Sequence, residues 1–133
     1  MKGSCLCKAI KYEMVKFEPK IANCFCSMCR KISGTSHATY GSVRIENLVF
    51  LSGEEFIRIY QSSDKAERGF CSICGSNLFY RLLNQNSCIE IALGSLDDEP
   101  NIFPDANIYI GSRTKWSLGL ENLVNYHEGR LCS

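Results

Sequence analysis

Seven of the nine cysteines in this 133-residue chain fall into three tight groups, and closely spaced thiols are metal-ligating chemistry first of all. Cys5 and Cys7 form Cys-x-Cys; Cys24, Cys26 and Cys29 form Cys-x-Cys-x-x-Cys; Cys71 and Cys74 form Cys-x-x-Cys followed at once by Gly75. A zinc ion lies about 2.3 Å from each thiolate sulfur, so its ligands must converge on one point from neighbouring backbone positions. In Cys-x-x-Cys-Gly a tight turn aims both sulfurs inward, and glycine permits the positive φ such a turn often needs. In Cys-x-Cys both side chains share one face of an extended segment. A structural zinc wants four protein ligands, whereas a catalytic one typically has three and an open position. Seven ligands divide naturally as four plus three. The triple Cys24, Cys26 and Cys29 comes from one local segment. Cys5, Cys7, Cys71 and Cys74 then join an N-terminal hairpin to a turn more than sixty residues away.

Other uses of the cysteines are open to weighing. Disulfides are disfavoured by the odd total and by the start Met1-Lys2-Gly3-Ser4-Cys5, which lacks the apolar stretch of an export signal. The expected setting is cytoplasmic, where thiols stay reduced. The alternatives are one structural cluster of all seven, or two structural sites with His37 or His127 as the eighth ligand. Cys88 lies in the apolar alternation Cys88-Ile89-Glu90-Ile91-Ala92-Leu93 and reads as a small core residue; Cys132, next to the end, carries no expected role.

The elements that must position these groups read as strands. Apolar and polar residues alternate, with β-branched and aromatic enrichment, over residues 9–14, 37–45, 48–51, 56–60, 77–82, 89–93 and 107–110. Turn signals separate them: Ser52-Gly53, Ser62-Ser63-Asp64, Asn84-Gln85-Asn86 and Asp97-Asp98-Glu99-Pro100. Helix is scarce, with a turn or two from Cys26 to about Ile32 and a further turn near 118–123. The fold class is mainly β, an antiparallel sheet packed as a sandwich or partial barrel, in one domain spanning 1–133.

Composition narrows the function classes. A hydrophobic fraction of 45% and a charged fraction of 22% are those of a globular chain. The net charge of +1, with lysine and arginine scattered among acids, removes the usual reason to propose nucleic-acid binding. No apolar run approaches the roughly 20 residues of a membrane helix.

Three cysteine groups in this order, set among particular flanking words, carry a resemblance. The words are Gly3-Ser4-Cys5-Leu6-Cys7 with Tyr12-Glu13, Asn23-Cys24-Phe25-Cys26-Ser27-Met28-Cys29-Arg30-Lys31, and Gly34. They continue with Tyr60-Gln61-Ser62-Ser63, Arg68-Gly69-Phe70-Cys71-Ser72-Ile73-Cys74-Gly75-Ser76, Gly94-Ser95-Leu96-Asp97, Pro104 and Lys115-Trp116. From Gly3 to about Glu128 the chain resembles the glutathione-dependent formaldehyde-activating enzymes, a family that also contains the zinc domain of centromere protein V. The resemblance implies a β-tent-like sandwich of the kind shared with methionine-R-sulfoxide reductases. It implies two zinc ions per chain: a structural one on Cys5, Cys7, Cys71 and Cys74, and a catalytic one on Cys24, Cys26 and Cys29. It also implies a carbon–sulfur lyase that joins a small thiol such as glutathione to a small aldehyde. Three positions depart from the family pattern. Phe25 and Asn107 stand where histidines are usual, and Lys8 replaces a common glycine.

Individual polar residues are weighed on the same scale. Arg30 and Lys31 follow the triple directly and could attract an anionic thiol, or simply face solvent at a helix start. Ser62 and Ser63 read as turn residues before pocket residues. His37 and His127 read as satisfied or surface histidines, and Asp97 as a turn aspartate capping its own backbone before an acid/base group. Trp116 reads as a core or pocket-wall residue. Rival functions are a zinc-stabilised binding module, like the centromere relative, and a redox role resting on Cys88 or Cys132.

Overall fold

A computed structural model describes residues 1–100 and 102–130; Cys132 lies outside the described residues. Ten strands carry the architecture: β1 (Lys2–Ser4), β2 (Lys11–Met14), β3 (Ile21–Cys24), β4 (Ala38–Arg44), β5 (Leu48–Ser52), β6 (Ile57–Gln61), β7 (Ala66–Cys71), β8 (Asn77–Leu82), β9 (Cys88–Ala92) and β10 (Pro104–Ile108). One α-helix, α1 (Ser27–Ser33), and short 3-10 turns complete the described chain. The chain is mainly β, as its alternation predicts. Among the described residues no helix is long and apolar enough to cross a membrane.

The strands form two sheets. One is the antiparallel trio β1-β2-β5; the other runs β10-β3-β4-β9-β8-β7-β6. Their inner faces share one core, in which Tyr12 and Met14 from the small sheet meet Val43, Leu78, Phe79, Ile89 and Ile91 from the large one. The parity is what a strand's two-residue repeat dictates: Tyr12 and Met14 are buried while Lys11 and Glu13 are exposed.

One edge departs from the antiparallel expectation, because β10 pairs with β3 in parallel. β9 already runs parallel to β3, since each is antiparallel to β4. Reaching the far side of β3 in the same direction therefore takes a crossover, supplied by residues 93–103. The segment expected as a strand at 107–110 begins earlier, at Pro104, and gives way to a 3-10 turn at Ile110–Ser112.

The large sheet's other face builds the site. Tyr60, Arg68, Tyr80, Glu90 and Ser42 stand in one cross-strand row over β6, β7, β8, β9 and β4. Directly paired residues share a face, so this row is polar and aromatic where the opposite face is apolar. A second, smaller buried cluster lies beside it: Cys24, Cys29, Ala38, Tyr40 and Ala92, with Cys26 and Tyr80 against it.

Candidate metal centres and the adjoining cleft

The first cysteine group gathers residues distant in sequence. Cys5 and Cys7 lie between β1 and β2, Cys71 ends β7, and Cys74 lies in the turn before β8. All four sulfurs are within 4.8 Å of one another. The Sγ atoms of Cys5 and Cys7 are 3.6 Å apart, and those of Cys7 and Cys71 are 3.9 Å apart. Tetrahedral ligands each about 2.3 Å from zinc stand roughly 3.8 Å from one another, whereas a disulfide needs about 2.05 Å. The spacing is that of a metal site, and all eight cysteines among the described residues are free thiols.

Local backbone supports it. Cys5 Sγ accepts from the Ile10 amide at 3.3 Å, and Cys71 Sγ accepts from the amides of Ile73 and Cys74 at 3.4 and 3.5 Å. Such donors favour the thiolate form that a metal takes. The Ser76 hydroxyl, with the Cys7 backbone next, brings the Cys74 thiol down to about 5. Gly75 adopts φ of 80°, the left-handed conformation the Cys-x-x-Cys-Gly turn requires.

The second group comes from one segment. Cys24 is the last residue of β3, Cys26 caps α1 and Cys29 lies in its first turn, with all three sulfurs within 4.8 Å. Cys26 Sγ accepts from the Cys29 amide at 3.3 Å, doing the work of an N-cap oxygen. Gly34 closes the helix in the left-handed region, its amide bonded to the Arg30 carbonyl. Burial raises the thiols of Cys24 and Cys29, the latter to about 12, with Arg68 opposing at Cys29. Burial also acts to raise Cys26, but the Cys29 amide and the two neighbouring thiols outweigh it and leave Cys26 lowered. A soft dication suits three sulfurs converging in this way. Neither histidine joins either group.

Arg68, which the sequence reading had not singled out as a site residue, faces this cluster. Only 5% of it is exposed. Both terminal nitrogens donate to Cys29 Sγ at 3.8 Å, Nε donates to Ser62 Oγ at 3.1 Å, and one terminal nitrogen also reaches the Tyr40 hydroxyl at 3.4 Å. The guanidinium lies 5.4 Å from the Tyr80 ring centre, and Tyr40 and Tyr80 meet edge to face at 4.7 Å. Asn77 Nδ2 donates to the Tyr40 hydroxyl at 2.8 Å. An open cleft of about 300 Å³ adjoins, lined by Met28, Lys31, Ile32, Tyr60, Ser62 and Arg68.

The residues weighed in the sequence separate. Lys31 borders the cleft, whereas Arg30 donates to the Ser112 carbonyl at 3.2 Å and so ties down the segment after β10. Ser62 holds Arg68, while Ser63 does the turn work, accepting from the Lys65 amide. Asp97 does not cap its own backbone; it takes the Ser4 hydroxyl at 2.8 Å and so ties β1 to the loop after β9. His37 bonds Ser36 Oγ through Nδ1 and packs on Phe25 at 4.8 Å, with the Arg113 guanidinium 4.5 Å from the same Phe25 ring. His127 is exposed. Asn107 Oδ1 accepts from Asn23 Nδ2 at 3.1 Å.

Two expectations of burial fail. Trp116 is 63% exposed, because it lies in a 3-10 turn beyond the last strand with no sheet face to cover it. Cys88 is only half-buried, because the core parity on β9 belongs to Ile89 and Ile91. Cys88 pairs with Arg44 and Cys24 with Ala38, at opposite ends of β4. That is roughly 20 Å of strand, which separates Cys88 from the three-cysteine group.

Comparison with known proteins agrees with this geometry. The sequence profile of the glutathione-dependent formaldehyde-activating enzymes matches residues 1–112. An uncharacterised lyase of Schizosaccharomyces pombe is 31% identical over 111 residues, 84% of this chain and 79% of that protein. A Halomonas elongata protein, provisionally named a glutathione-dependent formaldehyde-activating enzyme, is 33% identical over 85 residues; the match covers 59% of this chain and 54% of that protein. A crystal structure of a Rhodobacter sphaeroides protein shares the fold at a TM-score of 0.65 and 23% identity, covering 80% of this chain and 98% of the other. With seven of its nine cysteines gathered into two sulfur clusters and a profile match over most of its length, the chain belongs to the glutathione-dependent formaldehyde-activating enzyme family.

Proposed function

We propose that this protein is a zinc-dependent carbon–sulfur lyase-type enzyme that joins a small anionic thiol, glutathione first, to a small aldehyde such as formaldehyde. Cys5, Cys7, Cys71 and Cys74 would hold a structural zinc, and Cys24, Cys26 and Cys29 a catalytic one. Zinc bound by three thiolates supplies an open position at which a substrate thiol is deprotonated at neutral pH. A carbon–sulfur bond would form as the carbonyl π bond breaks; the thiol proton is released and the aldehyde oxygen takes one up, so no proton is gained or lost. The product is a hydroxymethyl thioether, and the reverse path releases the aldehyde.

The observation that carries this reading is a three-sulfur cluster beside an open cleft, with a buried cation against one sulfur. Lys31 on the cleft wall gives a substrate carboxylate a partner, and Met28, Ile32 and Tyr60 give its apolar parts a surface. Arg30 is spoken for by Ser112, so of the two cations after the triple Lys31 is the better placed. Phe25 and Asn107 cannot move a proton at neutral pH, so neither side chain supplies the proton that the aldehyde oxygen takes up. A cytoplasmic setting suits both the free thiols and a reduced thiol substrate.

A second reading, a zinc-stabilised binding module without catalysis, is favoured by Trp116, Leu118, Leu123, Val124 and Tyr126, apolar side chains exposed along one terminal segment. Calorimetry with glutathione on zinc-loaded protein separates the two, alongside nuclear magnetic resonance measurement of the glutathione–formaldehyde exchange rate. Binding with exchange above the uncatalysed rate is expected. Absence of thiol binding would end the lyase reading and leave the binding module.

A further inference from the structure

A buried guanidinium must meet negative charge, since an uncompensated buried ion costs several kcal/mol. Carboxylates do not supply it here. The salt bridges among the described residues are Arg44 with Glu18 and Arg81 with Glu67, and neither involves Arg68. The hydrogen-bond acceptors of Arg68 are two hydroxyls, on Ser62 and Tyr40, and one sulfur, on Cys29. Hydroxyls fix direction but carry no charge. The counter-charge has to be the sulfur cluster.

The direction is fixed from several sides. Ser62 holds Nε, Tyr80 lies against the guanidinium, and Tyr40 is itself held by Asn77. Arg68 is paired across the sheet with both Tyr60 and Tyr80, so its Cα sits in the middle of a regular ladder rather than on a loop. Its planar fork places two N–H groups on one sulfur, which a lysine ammonium does not reproduce.

We propose that Arg68 is a positioning residue for the three-cysteine centre: its fork orients the Cys29 sulfur, and its charge lets that centre accept a fourth, anionic sulfur. The inference rests on the reading that Cys24, Cys26 and Cys29 hold zinc, and it assigns Arg68 a specific role in that centre. The charge arithmetic is simple. A dication with three thiolates carries a charge of −1, and an incoming thiolate takes it to −2. Arg68 brings these to 0 and −1 within a water-poor site, where charge counts for more than in bulk solvent. Ligand-orienting partners outside the coordination sphere typically change metal affinity by about 10–100-fold.

The test compares Arg68→Met and Arg68→Lys with the parent in the full chain, titrating zinc against a chromophoric chelator and then glutathione into the zinc-loaded proteins. Arg68→Met is expected to weaken the weaker of the two zinc sites by about tenfold or more while leaving the tighter one unchanged. It should weaken glutathione binding by at least a similar factor. Arg68→Lys, which keeps the charge without the fork, is expected to recover part of the thiol affinity and less of the zinc affinity. A merely structural arginine would shift the melting temperature without separating the two zinc sites. If Arg68→Met fails to fold, Arg68→Lys alone decides, through a weakened second zinc site beside an intact first. Two unchanged zinc affinities with unchanged thiol binding would overturn the assignment and leave the zinc reading standing. A parent that takes only one zinc would overturn the zinc reading, and this assignment with it.

Discussion

Replacing Cys26 by serine removes one sulfur from a site that a single segment supplies, and helix α1 loses only its sulfur cap. A serine hydroxyl is itself a good N-cap, so the helix start keeps its amide acceptor. Cys26→Ser is therefore expected to stay folded, with a melting temperature near the parent's, while bound zinc falls from about two per chain to about one. Elemental analysis beside circular dichroism reads both; a variant that keeps two zinc ions would contradict the ligand set. Glu90 offers a pH test at the same scale. Burial raises its carboxyl, with a hydrogen bond from Ser42 acting against the rise. The folded state then holds this proton more tightly than the unfolded state, so the contribution of Glu90 to stability is present at low pH and is lost as pH rises through its folded value. Glu90→Gln should accordingly melt higher than the parent at pH 7, with the difference narrowing toward pH 5, measured in the range where zinc stays bound. Cysteine types and spacing made the two sulfur clusters legible, because a side chain's identity and its sequence neighbours are local facts. Arg68 was not legible as a site residue, because its role depends on a cross-sheet meeting with Cys29 that no local pattern encodes.

Among the elements, the alternating strands β2, β4, β5, β6, β8 and β9 were readable, whereas β1, β3 and β7 were not. β3 is four residues with Asn23 inside it, and β7 carries Arg68 and Gly69 at its centre. Both break the alternation of apolar and polar residues that marks a half-buried strand, because both serve the site face as well as the core. The edge strand β10 was read in part, but its parallel direction was not, because direction depends on a crossover and not on the strand's own residues. Gly69 shows what the interruption in β7 is for. It lies opposite Phe79, and a Cβ placed on it would come 2.3 Å from the Phe79 ring. Phe79 is a buried core residue and cannot swing clear without disturbing Leu78 and Ile91 around it. Gly69→Val should destabilise the protein by roughly 1–3 kcal/mol, the usual cost of overpacking, despite valine's preference for strands. Denaturant melts would show it as a lower midpoint, and an unchanged midpoint would mean that Phe79 has room that the packing denies.

At the scale of the whole molecule the four-cysteine centre acts as a clasp. It fastens the segment of Cys5 and Cys7, beside the three-stranded sheet, to the β7–β8 turn of the seven-stranded one. The Ser4–Asp97 bond and the Lys2–Asp98 bond tie the same N-terminal strand from its other side. Cys5 and Cys71 are themselves part of the shared core, so loss of a metal held there would open the interface between the sheets and not merely a surface turn. Structural zinc contributes roughly 10–16 kcal/mol in small zinc domains, against a net stability of about 5–15 kcal/mol for an ordinary domain. Cys71→Ser is thus expected to fail to fold, or to lose its cooperative melt, where Cys26→Ser keeps it. The two centres should also empty in order. The three-sulfur site has one ligand fewer and lies beside an open cleft, so a mild chelator should remove its zinc first with the sheet signal intact. A strong chelator should then remove the second zinc and the fold together, in one cooperative step. Following zinc release and far-ultraviolet circular dichroism in the same titration would show two releases and a single unfolding, coincident with the second. Unfolding that accompanied the first release, or equal melting of the two serine variants, would mean that the centres share the structural work and that neither is reserved for chemistry.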